Sequence, residues 1–197
     1  YLVHAAYGRS QVSDTLIVEG SATEKTVVLD AGALRLRSAI SGDINMPPSQ
    51  VRFDIFTSGL GENRVPIALN TAPEELLYLN AGVYNVVSRW GNVNATVRAD
   101  LRVEPGQITE ATLFHKAAQI TWKLVSSEGG EAIADVEWSI RDADNVQVYA
   151  DFGAFPSAVL AEGDYSVIAT LGANVYNREF QVQPGPPRDV EVLTAVY

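Results

Sequence analysis

The chain has 197 residues, 47% of them hydrophobic and 19% charged, with a formal net charge of −10 and no cysteine. That composition is globular and sufficient for one large or two small cores, and the acidic surface argues against binding phosphate backbones. The missing cysteines exclude disulfides, thiolate metal ligation and thiol catalysis, no apolar run approaches the roughly 18 residues of a membrane span, and no basic segment leads into an apolar signal stretch.

The chain opens on YLVHAAYG, Tyr1 to Gly8, and this stretch returns as YNVVSRWG at 84–91 and YSVIATLG at 165–172. Each copy has Tyr first, Val two residues on and Gly seven residues on. Downstream, Ile17-Val18-Glu19-Gly20 parallels Arg102-Val103-Glu104-Pro105-Gly106 and Gln181-Val182-Gln183-Pro184-Gly185, and Thr23-Glu24 parallels Thr109-Glu110. The upstream half occurs twice. Leu34-Arg35-Leu36 parallels Ile120-Thr121-Trp122; Val51, Phe53 and Ile55 parallel Val136, Trp138 and Ile140; Leu79 to Tyr84 parallels Leu160 to Tyr165. The period is 81–86 residues. It divides the chain into residues 1–31, the last third of a preceding repeat, then full repeats at 32–116 and 117–197. The expectation is a fragment of a longer repeat array.

Within each full repeat, alternation of apolar and polar residues predicts half-buried strands. Ala95, Val97, Ala99, Leu101 and Val103 alternate with polar neighbours, and so do Val136, Trp138 and Ile140. Gly-, Asp- and Asn-rich clusters at 58–63, 126–130 and 142–145 punctuate these runs as turns do. About six or seven short strands per repeat fit a small β-sandwich. Thr71 to Leu76 has a cap-like Thr and early acids, and is read as a turn feeding a strand, with at most one helical turn. Residues 1–31 supply two or three strands and leave open edges. Three ways of covering them follow: packing on the next repeat, completion by upstream sequence, or strand exchange in a homo-oligomer. Only about four residues, His115 to Ala118, join one repeat to the next, so a semi-rigid, elongated array is expected.

Leu79-x-x-Gly82-x-Tyr84 and Leu160-x-x-Gly163-x-Tyr165 resemble the tyrosine corner of Greek-key sandwiches. With the Tyr-x-Val strand and the later Val-x-Pro-Gly, the pattern is similar to bacterial immunoglobulin-like, fibronectin-III-like and prealbumin-like (carboxypeptidase-regulatory-type) repeats. The resemblance implies an all-β fold of tandem Greek-key, Ig-like sandwiches with a partial repeat at the N-terminus. It implies structural roles for Tyr84, Gly82, Tyr165 and Gly163, and a core position for Trp138 and its repeat mate Phe53. It is nearly silent on function, because such sandwiches host many roles.

Chemistry-bearing patterns are sparse. His4 and His115 lie far apart in the repeat plan, which argues against an imidazole metal site, and His115 reads as a solvated linker residue. No nucleophile elbow or phosphate loop occurs, and no Ser-His-Asp spacing stands out. Asp142 and Asp144 offer alternate oxygen ligands for calcium, or an Asp/Asn-rich turn. Glu74 and Glu75 read as solvated charges. Asn94-Ala95-Thr96 is a glycosylation sequon, meaningful in a eukaryotic secreted protein. Trp90, Tyr7 and Leu171 share one repeat position and suggest a common packing role, and Trp122 matches Leu36. Tyr149, Phe152 and Phe155 cluster near one loop and are the candidate ligand patch. Charge is uneven: residues 32–116 are net zero, while 117–197 carry four basic and twelve acidic residues.

The sequence thus points to a non-catalytic module of a larger bacterial envelope or surface protein, periplasmic or extracellular. It would act as spacer, scaffold or protein-interaction surface, with protein partners or neighbouring repeats and no cofactor. Two alternatives stand beside it: a carbohydrate- or ligand-binding module using the loop aromatics, and an accessory part of an enzyme whose catalytic domain lies elsewhere.

Overall fold

The computed structural model describes residues 1–20, 24–40, 44–59 and 64–194. Thr23 and residues 60–63 of the 58–63 turn lie outside them. The structure is nearly all strand. The strands are β1 (Leu2–Tyr7), β2 (Ser10–Thr15), β3 (Ala31–Ile40), β4 (Ile44–Asn45), β5 (Val51–Thr57), β6 (Pro66–Thr71), β7 (Leu76–Asn80), β8 (Gly82–Trp90), β9 (Thr96–Val103) and β10 (Ile108–His115). The second repeat continues with β11 (Ala117–Val125), β12 (Glu137–Asp142), β13 (Gln147–Phe152), β14 (Ser157–Ala161), β15 (Gly163–Leu171), β16 (Asn174–Val182) and β17 (Arg188–Leu193). Among the described residues helix is limited to a 3-10 turn at Pro48–Gln50. The Thr71 to Leu76 segment is a turn between β6 and β7.

Two compact units emerge. Unit 1 comprises Tyr1–Ser38, Val51–Ser88 and Arg98–Leu113, and unit 2 comprises Ala39–Gln50, Arg89–Val97 and Phe114–Tyr197.

In unit 2 the sheet β14-β11-β17 faces the sheet β13-β12-β15-β16. Strand β11 pairs β14 antiparallel and β17 parallel. One core cluster draws on both sheets: Ile120, Trp122 and Leu124 from β11, Trp138 and Ile140 from β12, Leu160 from β14, Val167 and Ala169 from β15, and Val190 and Val192 from β17. Their two-residue spacing puts them on one face of each strand, with Lys123, Ser139 and Arg141 pointing the other way. Full burial of each large aliphatic side chain stabilises by about 1.5–3 kcal/mol, which is what holds the two sheets face to face.

The first repeat has the same plan. Strand β3 pairs β7 and β10, and the second sheet runs β6-β5-β8-β9. Leu34, Leu36, Phe53, Ile55 and Leu79 are buried, as are their counterparts in the second repeat. Among the described residues, the second repeat therefore has seven paired strands, three in one sheet and four in the other; the first repeat has the same seven in the same order and adds the short β4, which pairs β3. That order differs from the immunoglobulin constant domain, which places its first, second, fifth and fourth strands in one sheet; in the second repeat here the second strand, β12, pairs the third and the fifth.

The N-terminal hairpin β1-β2, part of unit 1, is a separate two-stranded sheet. Its turn rests on β7: Arg9 N donates to the Tyr78 carbonyl at 3.0 Å. The Tyr7 and Tyr78 rings meet at a centroid distance of 4.7 Å.

Candidate functional site

Both tyrosine corners are built alike. The Tyr84 hydroxyl donates to the Asn80 carbonyl at 2.8 Å, and the Tyr165 hydroxyl donates to the Ala161 carbonyl at 2.9 Å. Each bond spans four residues, so the Gly two positions before each Tyr must turn the chain sharply. Gly163 adopts φ +158°, and a Cβ there would lie 3.5 Å from the Tyr165 ring. Burial raises the pKa of both phenols, which keeps them protonated donors at neutral pH.

In unit 2 the Tyr165 hydroxyl has a second partner. Asn94 Nδ2 donates to it at 2.9 Å, while Asn94 Oδ1 accepts the Ala161 N–H at 2.9 Å. Both ends of the Asn94 amide are therefore spent on structure. The sequon reading missed this, because the partners lie about 70 residues downstream.

Trp138 is buried in the core, and its indole N–H donates to the Gly153 carbonyl at 2.8 Å. Phe53, fully buried, fills the same place in the first repeat. Trp122 is fully buried, and its Nε1 has no hydrogen-bond partner among the described residues. Its indole stacks on Tyr149 at 5.7 Å and meets Phe180 edge-on at 6.1 Å.

The candidate ligand patch divides. Tyr149 packs against the core through Trp122, and its hydroxyl donates to Asp151 Oδ2 at 2.6 Å. Desolvation, aided by the Asp151 hydrogen bond, pushes Tyr149 up to about 12. The same hydrogen bond holds the Asp151 carboxyl below its ordinary value. Tyr149 thus packs and hydrogen-bonds within the fold while remaining half-buried. Phe152 and Phe155 are 61% and 64% exposed. Phe152 ends β13 and Phe155 stands on the loop between β13 and β14, and both are exposed aromatics of that patch.

Asp142 serves the turn. Its Oδ1 accepts the N–H of Asp144 at 3.1 Å and of Val146 at 2.9 Å, and Asn145 takes φ +60°. Among the described residues, no group of three or more His, Asp or Glu is placed to hold a metal ion.

Two expectations need correction. His115 is not a solvated linker residue: it is 1% exposed at the end of β10, edge-on to Trp90 at 6.2 Å. Burial lowers its pKa to about 4, so the imidazole is neutral. Tyr7 does not share the packing role of Trp90. Trp90 is buried, whereas Tyr7, on a two-stranded hairpin, is 57% exposed. Glu74 is exposed, as expected of a solvated charge, and is also ion-paired with the Arg37 guanidinium, which lowers its pKa.

In unit 1 a polar chain runs from Arg64 Nη1 to Asn85 Oδ1 at 3.0 Å, and from Asn85 Nδ2 to Asp100 Oδ1 at 2.8 Å. Asn85 is buried within it. The network orients its own members. In unit 2, Lys123 and Glu191 pair at 2.9 Å across β11 and β17. Glu191 also accepts the Gly129 N–H.

Residues 119–194 match the family model of the Rhizobiales growth-associated tandem repeat domain. No curated protein matches the chain. Among solved structures, the chain is similar to the Bacillus anthracis TIE protein, with TM-score 0.31 and 14% identity over 83% of this chain and 34% of that one. It is also similar to a leucine-rich repeat protein from Bacteroides thetaiotaomicron, with TM-score 0.31 and 13% identity over 83% of this chain and 26% of that one. A third is the streptococcal ancillary pilin, with TM-score 0.39 and 9% identity over 94% of this chain and 71% of that one. The chain spans about a third of the first of these and about a quarter of the second. No helix among the described residues is long and apolar enough to cross a membrane.

Proposed function

We propose that this chain is a non-catalytic tandem module of a larger bacterial envelope or surface protein, acting as spacer and scaffold. The observation that carries the reading is the equivalence of seven strands between the two repeats, each with its own tyrosine corner. The match of residues 119–194 to a tandem repeat domain supports it. The polar side chains that sequence reading set aside for chemistry go into turns, corners and cross-strand bonds: Asp142, Tyr149 and Asn94 all do so. Such a module contributes length and surface, and its chemistry is that of its neighbours in the parent protein.

A second reading rests on one observation, the exposure of Phe152 and Phe155. Exposed aromatic faces near an acidic Asp151 suit the apolar face of a sugar ring. Affinity electrophoresis of the 197-residue chain through gels containing soluble polysaccharides separates the two readings. The spacer reading predicts unretarded migration for the natural chain and for a Phe152→Ala, Phe155→Ala variant alike. Retardation relieved by that double substitution would replace it with a carbohydrate-binding module.

A further inference from the structure

Two glycine turns make the same contact, each inside one unit. In unit 1 the β1–β2 turn begins at Gly8, φ +62°, and a Cβ there would fall 2.8 Å from Tyr78 Cβ on β7. Beside it, the Asn80 side chain brackets the backbone of Gln11, accepting its N–H at 2.8 Å and donating to its carbonyl at 2.9 Å. In unit 2 the turn after β8 begins at Gly91, φ +70°, and a Cβ there would fall 3.2 Å from Val159 Cβ on β14. Beside it, Asn94 Oδ1 accepts the Ala161 N–H.

The correspondence is positional. Gly8 and Gly91 end the same eight-residue motif. Tyr78 and Val159 each stand one residue before the corner leucine, and Asn80 and Ala161 one residue after it. The polar bridge is kept although its two sides exchange roles: Asn80 supplies the side chain in one case, Asn94 in the other. A glycine here answers two demands, a positive φ and the close approach of another strand.

The third copy of the motif ends at Gly172, φ +59°. Leu171 pairs with Asn174 across a two-residue turn, as Tyr7 pairs with Ser10. Beyond Gly172 and its two chain neighbours, no heavy atom among the described residues lies within 4 Å of where a Gly172 Cβ would stand. Ala173, Asn174 and Val175 are exposed. Val175 takes the place of Gln11, on β16, the edge strand of its sheet.

We propose that Gly172 to Val175 is a docking surface for one occupant: the strand equivalent to β7 and β14 in a further sandwich repeat of the same kind, following in the chain. The proposal rests on the tandem-array reading above and names the contact by which the array is continued. The occupant must present a side chain at the Tyr78/Val159 position against the bare glycine. It must also offer a polar group at the Asn80/Ala161 position to the turn.

The test uses a lengthened chain in which residues 1–195 are followed by a second copy of 117–197 carrying Ala161→Asn, which supplies the polar side chain that Asn80 supplies to Gln11. The natural sequence has no cysteine, so introduced pairs report alone. Gly91→Cys with Val159→Cys in the 197-residue chain is the reference, its Cβ spacing being close to that of a disulfide. Gly172→Cys with Val159→Cys of the added copy is the test pair. Closure of both pairs to the same extent in a glutathione buffer is the expected result. A reference pair that closes beside a test pair that stays open overturns the docking, while leaving the array reading standing on its polysaccharide test.

Amide exchange provides a reading without cysteines. Gly172 to Val175 are expected to exchange at least about tenfold more slowly in the lengthened chain than in the 197-residue chain, the protection of a newly covered backbone. Unchanged exchange there overturns the proposal, whatever the cysteine variants do.

Discussion

Asn94 and Tyr165 close a hydrogen-bonded ring. Asn94 Nδ2 donates to the Tyr165 hydroxyl, that hydroxyl donates to the Ala161 carbonyl, and the Ala161 N–H returns to Asn94 Oδ1, each at 2.9 Å. Three partly buried polar groups thereby satisfy one another without recourse to the strand ladder. Groups removed from water cost more when left unpaired than their bonds contribute when made, so the ring is sensitive to the loss of any one member.

The two tyrosine corners should therefore respond unequally to the same change. Tyr84→Phe removes one hydrogen bond, with an expected cost of about 1 kcal/mol. Tyr165→Phe also strands Asn94 Nδ2, and about 2 kcal/mol is expected. Urea unfolding of the two variants against the natural chain measures the difference, and equal costs would contradict the ring.

Asn94→Ala removes both of its bonds and leaves the Ala161 N–H unpaired, at an expected cost of about 2 kcal/mol. Asn94→Asp keeps the acceptor for Ala161 and loses the donor to Tyr165. Its expected cost is smaller, about 1 kcal/mol. The order of the two midpoints in denaturant is the check.

His115 gives the fold an acid sensitivity. Its folded pKa is lowered from 6.5 to about 4 by burial. The unfolded chain thus takes up a proton before the folded chain does. The contribution of the neutral imidazole is present in full above the unfolded value. It falls as pH drops from about 6.5 toward 4, where the folded form also protonates. At about 1.36 kcal/mol per unit, the loss is on the order of 3 kcal/mol. Unfolding free energies across that range should slope less steeply in His115→Gln than in the natural chain. The carboxylates of Asp14, Glu74, Asp151 and Glu191, whose pKa values are lowered by their partners, add a separate loss at lower pH that persists in the variant.

The equivalence of Phe53 and Trp138 makes a graded prediction. Trp138→Phe keeps an aromatic ring in the core but leaves the Gly153 carbonyl without the indole N–H. About 1–2 kcal/mol is expected, against about 3–5 kcal/mol for Trp138→Ala, which opens a cavity. Thermal unfolding of the pair orders them.

What the sequence made legible was what depends on near neighbours along the chain. A tyrosine corner links a residue to one four positions back, so Gly163 and Tyr165 announce it locally. Alternation reports burial in β5 and β12 because side chains of a strand change face at every step. The role of Asn94 was hidden because its partners come from β14 and β15, far along the chain. His115 was misread for the same reason, since its burial depends on Trp90 and not on its own neighbours. Tyr7 shows the converse: the motif that buries Trp90 in a four-stranded sheet leaves Tyr7 exposed on a two-stranded hairpin. The glycine that ends each motif was visible as a repeat, yet the strand it meets was not.

The most direct test of this account is residue-resolved amide exchange at Ala161 in the natural chain and in Asn94→Ala. The account holds that the Ala161 N–H is protected by the Asn94 side chain. It predicts slow exchange in the natural chain and a selective rise at Ala161 in the variant, with Val159 and Leu160 unchanged. Fast exchange at Ala161 in the natural chain, or protection there that survives the loss of Asn94, would contradict it.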